Sequence, residues 1–238
     1  MKPKDTTAAL YAEYKREQRA CKRKEDLKAL LVFVLAGLAM VLINRFSDFM
    51  DAKLAKAEKN MITENAIVTA TIKTYRNQGA TGYAVNEKHL RQVWRVCKAE
   101  ADKMKDGTWI AEEIKDPMRA AVVKAELEHV NLAVFMFSVC ADESLFDPYV
   151  TAYNERCETY DSGITQINSQ HWESINARLP EKLKKHKWYS IEKNIKGRFI
   201  WIKDRARQNL SWQVMTKKRG WTLYKKLTAA LKAAEGGK

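Results

Sequence analysis

The stretch VNLAVFMFSVCADESLFDP, residues 130–148, joins an apolar run to a turn that carries carboxylates. Few polar residues interrupt the run from Val130 to Val139, and Glu143 follows shortly behind it. A carboxylic acid at the end of a buried segment is desolvated, which favours its protonated form and suits a general acid. The pattern predicts a central core helix that begins at Pro117, continues through this run and ends at the Glu143 turn.

A second polar stretch, DSGITQINSQHW, occupies residues 161–172. Apolar and polar residues are mixed irregularly over residues 144–170, which predicts a short β-hairpin or an irregular lobe beside the helix. Asp161 would bring a second carboxylate to this lobe, and glycosidic-bond cleavage commonly uses two. The amides of Gln166 and Asn168 would either hydrogen-bond a sugar or only close the hairpin.

The two stretches share an ordered set of residues with a known family. In this sequence the set reads Glu143-Ser144-x-Phe146-x-Pro148, then Asn154, then Asp161-x-Gly163-Ile164-x-Gln166-Ile167-Asn168-Ser169-x-x-Trp172. It resembles the lysozyme-like superfamily, both the soluble lytic transglycosylase (SLT) domain and animal c-type lysozyme, over roughly residues 120–175. Among transglycosylases it is most similar to the small specialised enzymes of bacterial secretion and conjugation machines and of phage particles.

The resemblance implies a mainly α fold of the α+β lysozyme-like class and an enzyme that cleaves peptidoglycan. Glu143 would protonate the glycosidic oxygen between N-acetylmuramic acid and N-acetylglucosamine. As a base it would then assist closure of the muramic 6-hydroxyl on C1, which requires no second carboxylate. In a hydrolytic muramidase Asp161 would act as nucleophile or stabiliser, whereas in a transglycosylase it would cap the turn. The substrate-binding residues that the resemblance implies are Ser144, Gly163, Gln166, Asn168 and Trp172.

One part of the family pattern is missing. A later Tyr-Asn-x-Gly segment normally supplies a tyrosine that supports the glutamate, and this chain has none. Tyr189 or Tyr224 would have to replace it. A non-catalytic, membrane-anchored protein with a degenerate lysozyme-like domain, which binds the cell wall or an assembly, therefore stays open as an alternative. Structural or surface roles are expected for His129 and His171, because neither has a nucleophile or metal partner in the sequence.

The formal net charge of +14 is concentrated at the C-terminal end. Residues 181–238 contain seventeen Lys and Arg against four Asp and Glu, a charge of +13. Such a region attracts polyanions, which include nucleic acid, anionic lipid and the acidic cell wall. Four tryptophans are interleaved with these basic residues: Trp188, Trp201, Trp212 and Trp221. Their helical spacing is typical of core residues, so nucleic acid is not the expected partner.

The four cysteines, Cys21, Cys97, Cys140 and Cys157, show no zinc-binding spacing, and no histidines cluster with them. No metal and no cofactor are therefore expected. A bond between Cys140 and Cys157 would staple the Glu143 region, and a buried Cys140 with a free Cys157 is the other reading.

Fifteen residues from Ala29 to Ile43 carry no charge or strongly polar group. The run is slightly shorter than the about 20 residues of a typical span, but it is apolar on every face, which favours a membrane helix. Basic residues cluster before it and no small-x-small cleavage site follows it, so an uncleaved signal anchor with a cytoplasmic N-terminus is predicted. The domain would then face the periplasm from the bacterial inner membrane as part of a single-pass protein. A virion-associated location is the alternative, and secretion, conjugation or virion components are candidate partners.

The predicted organisation has five parts. They are a basic cytoplasmic arm at 1–28, a transmembrane signal anchor at 29–47, a helical stalk or linker at 48–85, a lysozyme-like domain with basic C-terminal helices at 86–232, and a frayed tail at 233–238. Within the domain, Asn86 is predicted to cap a helix that covers roughly residues 87–105.

Overall fold

The computed structural model describes residues 4–179, 188–213 and 218–236. The outermost residues of the predicted arm and tail, and residues 181–187 and 214–217 of the basic region, lie outside these ranges. The described chain is mainly helical and carries one small antiparallel sheet, which confirms the expected mainly α class with a small β lobe.

The helices and strands follow one another along the chain in this order: α1 (Lys4–Arg76), a 3-10 turn (Gly82–Val85), α2 (Glu87–Met104), α3 (Thr108–Glu113), α4 (Pro117–His129), α5 (Leu132–Ser144), β1 (Thr151–Asn154), β2 (Thr159–Ser162), β3 (Ile167–Asn168), a second 3-10 turn (Ser169–His171), α6 (Trp172–Arg178), α7 (Ile191–Arg207) and α8 (Lys218–Gly236). The predicted cap is present, because the Asn86 side chain accepts a hydrogen bond from the His89 amide at the start of α2. Helix α8 continues to Gly236, into the segment expected to fray.

The chain divides into two compact units, Met1–Lys59 and Asn60–Lys238. In the first unit, the described residues include one helix that is long and apolar enough to cross a membrane near the N-terminus. The apolar side chains of this helix that lie in the first unit are exposed, as at Phe33, Leu38 and Leu42. The candidate helix, Phe33–Arg76, therefore overlaps most of the apolar run from Ala29 to Ile43 found in the sequence.

The second unit begins inside the segment expected as a stalk. Ile67, Val68 and Tyr75 of α1 are buried in its core. Glu64 binds Arg91 and Arg95 of α2 at 3.0 and 2.9 Å. Burial raises the pKa of Glu64, but hydrogen bonds from Arg95 and Arg91 outweigh it and hold the pKa below its usual value. The last turns of α1 are thus an integral part of the domain.

Helix α5 forms the centre of the second unit, between α2 and α8, and almost all of its side chains are buried. The Phe137 ring contacts Trp94 of α2 edge-on, with centroids 5.7 Å apart, and Phe146 in the turn at 4.7 Å. Such aromatic contacts add to the hydrophobic free energy of burial. The apolar run of the sequence is therefore the core helix, as predicted.

The prediction of one continuous helix from Pro117 to Glu143 is wrong. The backbone is extended at Val130 and Asn131, which separates α4 from α5. The Asn131 side chain accepts a hydrogen bond from the Val134 amide at 3.2 Å and so caps a new helix. The apolar run conceals this break because the cap is a single polar residue within it.

The three strands form one antiparallel sheet in the order β1-β2-β3, and Asp161 of β2 lies opposite Ala152 and Asn168. Asn194 of α7 holds this sheet. Its fully buried amide donates to the carbonyls of Ser162 and Trp188 at 2.9 and 3.0 Å, and it accepts from the Thr165 amide and hydroxyl at 2.8 and 2.7 Å. Three hydrogen bonds therefore join one side chain of α7 to the end of β2 and the loop after it, and the fourth joins it to Trp188.

Gly163 allows the Asn194 side chain to come this close to the loop after β2. Its φ of +80° is a conformation that side chains disfavour, and a Cβ there would lie 2.3 Å from Asn194 Nδ2 and 2.4 Å from the Trp188 carbonyl oxygen. The glycine of the sequence motif is thus required by the contact between α7 and the sheet.

The cysteines of the second unit are all free. Cys140 is buried beside Cys97, whose thiol has a pKa raised by burial and by its hydrogen bond to Cys140, whereas Cys157 is exposed in the hairpin turn. Cys140 and Cys157 therefore form no disulfide bond, and the alternative prediction of a buried Cys140 and a free Cys157 is confirmed.

Replacement of Gly163 by alanine tests the packing of α7 on the sheet. We expect Gly163→Ala to lower the free energy of unfolding by about 2–4 kcal/mol, because the new Cβ displaces Asn194. Gly79→Ala is the matched control, since Gly79 has a φ of +75° and no atom within 4 Å of the added carbon. It should cost only the backbone strain, about 1–2 kcal/mol. Thermal unfolding of the full-length protein in detergent measures both, and equal losses would contradict the close approach.

Candidate functional site

A pocket of about 240 Å³ lies where the end of α5, the sheet and α7 meet. It combines two carboxylates, two guanidinium groups and polar side chains of the β lobe. Its lining residues are Glu143, Asp161, Gln166, Ile167, Asn168, His171, Arg198, Trp201 and Arg205. The pocket is where the described structure brings the two acids of the sequence motif together, although they lie eighteen positions apart.

Glu143 faces Arg198 in this pocket. The Arg198 Nη2 atom lies 3.6 Å from Glu143 Oε1, and only 11% and 14% of the two side chains are exposed. Burial lowers the pKa of Arg198, while the charge of Glu143 raises it in part. The attraction stabilises the charged form of each partner, so Arg198 favours the Glu143 carboxylate over the protonated acid.

The neighbours of Glu143 fix the end of α5 from two sides. Asp142 is buried and lies 3.5 Å from Arg219 Nε of α8, and Arg219 also donates to the Asp142 carbonyl. The Ser144 hydroxyl lies within hydrogen-bonding distance of the Cys140 and Ile164 carbonyls, at 3.1 and 2.8 Å. Ser144 therefore connects the helix to the β lobe.

Asp161 and Asn168 are cross-strand neighbours. Asn168 Nδ2 donates to Asp161 Oδ1 and to Thr159 Oγ1, each at 2.8 Å, and its oxygen accepts from the Gln170 amide at 3.0 Å. The Asn168 amide is thus committed to the lobe itself. Asp161 is a strand residue with one carboxylate oxygen bound to Asn168, not the cap of a turn.

The Gln166 amide closes the loop that precedes β3. Its Nε2 donates to the carbonyls of Val150 and Gly163 at 2.9 and 2.8 Å. Gln166 still lines the pocket. Its side-chain oxygen is therefore the part of the amide that a ligand would meet, because both N–H groups are engaged.

Gly163 and Trp172 lie outside the lining of the pocket. Trp172 Nε1 donates to the Ile167 carbonyl at 3.2 Å, and the Trp172 ring stacks on Trp188 with centroids 5.6 Å apart. Both tryptophans pack in the small cluster beneath β3. Trp172 is thus placed to support the lobe rather than to touch a ligand in this pocket.

The tyrosines proposed to replace the missing motif do not line the pocket either. The Tyr189 hydroxyl lies 3.1 Å from Thr151 Oγ1. The Tyr224 hydroxyl accepts from the Asn131 amide at 3.2 Å, at the start of α5. Glu143 lies at the other end of that helix, about 20 Å away.

Besides Ile167, four lining residues were not assigned to the site from the sequence. Arg198, Trp201 and Arg205 lie at positions i, i+3 and i+7 of α7, a spacing that places side chains on one helix face. The guanidinium carbons of Arg198 and Arg205 lie 4.3 and 4.9 Å from the centroid of the Trp201 ring. The spacing was visible in the sequence, but nothing there indicated that this face meets Glu143.

His171 is the fourth of these residues and lies in the pocket wall, while the structural or surface role expected for it stays a prediction. Its ring centroid lies 6.3 Å from that of Trp201. Burial lowers the pKa of His171 from the usual 6.5, and the charges of Arg205 and Arg198 lower it further. His171 is therefore a neutral polar group at the pocket wall near neutral pH.

A second pocket, of about 340 Å³, lies where α1 ends and α8 begins. Its charged side chains are Lys218, Arg219 and Lys226, and its described lining residues include no carboxylate. It is larger than the first pocket but lacks an acid. In the described ranges, no group of three or more His, Cys, Asp or Glu side chains is placed to hold a metal ion.

No family model, curated protein or solved structure matches this chain. A function for this protein is therefore inferred from the pocket and from the motif residues that line it.

Titration of His171 tests the electrostatics of the pocket. We expect NMR of the full-length protein in detergent to give a pKa below 6.5, and Arg205→Gln to move that pKa upward, because it removes a nearby cation. Since the folded-state pKa is the lower one, protonation of His171 should destabilise the fold as the pH falls below about 6.5. Arg207→Gln, an exposed change on the same helix, should leave the titration unchanged. A value at or above 6.5 would contradict the described environment.

Proposed function

We propose that this protein is a membrane-anchored lytic transglycosylase that cleaves the β-1,4 bond between N-acetylmuramic acid and N-acetylglucosamine of peptidoglycan and leaves a 1,6-anhydro-muramic end. One observation carries the proposal. Glu143 lies at the end of a buried helix, in a pocket whose neighbouring wall is a small antiparallel sheet that bears Asp161. Glu143 supplies the carboxylic acid that cleavage of a glycosidic bond requires, whereas the second carboxylate, Asp161, is needed only for hydrolysis.

Glu143 is the proposed general acid and then the general base. As an acid it gives its proton to the glycosidic oxygen while the C1–O bond breaks. The resulting carboxylate takes the proton of the muramic 6-hydroxyl as that oxygen bonds to C1. Neither external water nor a second carboxylate is consumed.

Arg198 acts on both steps of this scheme. It stabilises the carboxylate that forms when Glu143 gives up its proton, but before reaction it also favours that same charged state. Entry of a glycan into the pocket must therefore loosen the ion pair for Glu143 to be protonated. This requirement makes the reaction faster at mildly acidic than at alkaline pH.

Two other functions have specific support. A hydrolytic muramidase that uses Glu143 and Asp161 is favoured by the presence of both acids in one pocket. Its two carboxyl groups would flank the sugar about 5 Å apart if the enzyme retains configuration. A non-catalytic cell-wall-binding or assembly protein is favoured by the ion pair of Glu143 with Arg198, since this pair opposes the protonation that a general acid needs.

Glu143→Gln separates the enzymes from the binding protein. We expect this change to reduce lysis of purified peptidoglycan by about 10²- to 10⁴-fold, the usual contribution of a general acid. Glu155→Gln, at an exposed position of the hairpin turn, should retain full activity. Mass analysis of the products divides the enzymes, because transglycosylation leaves anhydro-muramic ends and hydrolysis leaves reducing ends. Lysis that survives Glu143→Gln would refute both.

We further propose that the protein sits in the bacterial inner membrane with its N-terminus in the cytoplasm and the second unit facing the periplasm and cell wall. The apolar part of α1 supports the span, and the basic residues that precede it support the orientation. In a virion the same span would serve as an anchor in the particle. Components of a secretion system, a conjugation system or a virion are the proposed partners of this anchored form.

A reporter fused after Lys238 tests the orientation. Alkaline phosphatase, which requires the oxidising periplasm, should be active in this fusion, and a reporter that requires the cytoplasm should be inactive. A phosphatase fused before Met1 is the matched control and should be inactive. Cytoplasmic activity of the C-terminal fusion would overturn the proposed topology.

A further inference from the structure

We propose that Arg205 is a specificity-determining residue that binds a carboxylate carried by the muramyl residue of the glycan. The inference rests on the proposed function and names the chemical feature by which the pocket would select its substrate. A carboxylate distinguishes muramyl glycans from neutral chitin-type oligosaccharides, and it belongs either to the lactyl group itself or to the peptide attached to it.

Arg205 differs from its neighbours on α7 in its charge environment. Arg198 is balanced by Glu143 at 3.6 Å, and Arg207 by Asp204 at 3.1 Å. No carboxylate of the described residues lies within 4.0 Å of the Arg205 guanidinium. Arg205 therefore brings to the pocket a guanidinium group that forms no ion pair with the described residues.

The Arg205 guanidinium is held in position without using its whole donor set. Its Nε donates to the Ser211 carbonyl at 2.7 Å, and its Cζ lies 4.9 Å from the centroid of the Trp201 ring. The stacking contact restrains the guanidinium plane. The two terminal nitrogens are the remaining donors, and they form the fork that a carboxylate accepts with both oxygens.

The other charges of the pocket favour a carboxylate over a phosphate. Glu143 and Asp161 line the same pocket, and a dianion close to them would be repelled. The formal charges of the four groups sum to zero, so a monoanion that binds Arg205 is repelled less by Glu143 and Asp161 than a dianion would be. A neutral sugar would offer Arg205 only hydroxyl and amide oxygens, whose hydrogen bonds with a guanidinium are weaker than those of a carboxylate.

The position of Arg205 limits where on the glycan this carboxylate is found. Arg205 and Glu143 line one pocket of about 240 Å³. The carboxylate must therefore belong to a sugar at or next to the bond that Glu143 would cleave. In a muramyl glycan the sugar on the C1 side of that bond carries the lactyl group, so bond selection and carboxylate recognition would use the same residue of the substrate.

Binding measurements on full-length E143Q protein test this assignment without cleavage of the ligand. Three tetrasaccharide probes are compared by calorimetry: a peptide-free muramyl glycan, the same glycan with its stem peptides, and chitotetraose. We expect the muramyl glycans to bind more tightly than chitotetraose, and we expect R205Q to weaken their binding at least tenfold, the loss of a charge-assisted hydrogen bond. R205K, which keeps the charge but not the fork, should recover part of the affinity.

Two controls separate recognition from structural damage. R207Q lies on the same helix, removes an exposed guanidinium already paired with Asp204, and should leave all three affinities unchanged. The affinity for chitotetraose should be insensitive to R205Q. A tenfold loss already present with the peptide-free glycan assigns the lactyl carboxylate, and a loss confined to the peptide-bearing glycan assigns the stem peptide.

Failure of this inference is distinct from failure of the proposed function. If wild-type protein lyses peptidoglycan but R205Q binds all probes like the parent, or weakens all of them equally, the role of Arg205 is refuted and the enzyme stands. If wild-type protein lyses nothing but R205Q selectively loses muramyl glycans, carboxylate recognition stands in a binding protein.

Discussion

The side-chain amide of Asn194 holds together the parts on which the pocket depends. It is fully buried and makes four hydrogen bonds, two to carbonyl oxygens and two from Thr165. An unsatisfied buried amide costs about 1–3 kcal/mol for each lost partner group, so this contact fixes one distance between α7 and the β lobe. Gly163 is the residue on the other side of the contact, and its missing side chain leaves the space that Asn194 occupies.

The remaining wall of the pocket depends on the last three residues of α5, whose side chains contact three different partners. Asp142 turns to Arg219 of α8, Ser144 bonds to the Ile164 carbonyl of the β lobe, and Glu143 faces Arg198 between them. A helix places successive side chains about 100° apart, so three neighbours reach three different partners. The acid of the pocket is thereby held in place by the contacts of its neighbours.

The pocket differs in electrostatics from a simple pair of acids. Its two carboxylates face two guanidinium groups, and Trp201 stacks against both of these cations. Arg198 counteracts the charge of Glu143, and Arg205 brings a charge that the described residues leave without a carboxylate partner. Burial and these cations together keep His171 neutral. The two acids, Glu143 and Asp161, belong to the sequence motif. The two guanidinium groups that face them belong to α7, which lies outside the motif.

Local patterns in the sequence determined the mainly helical class, the apolar span, the core helix α5, the Asn86 cap and the presence of a β lobe that bears Asp161. These features depend on hydrophobic periodicity and capping, which act between residues close in the chain. The break at Asn131, the inclusion of the last turns of α1 in the domain, and the commitment of Ser144, Asn168 and Trp172 to structural hydrogen bonds were decided only by tertiary packing. Tertiary packing also decided that α7 lies against Glu143. The segment that a helix face contacts depends on contacts such as that of Asn194 with Gly163, which are thirty-one positions apart in the chain. No local pattern encodes which distant segment will lie there.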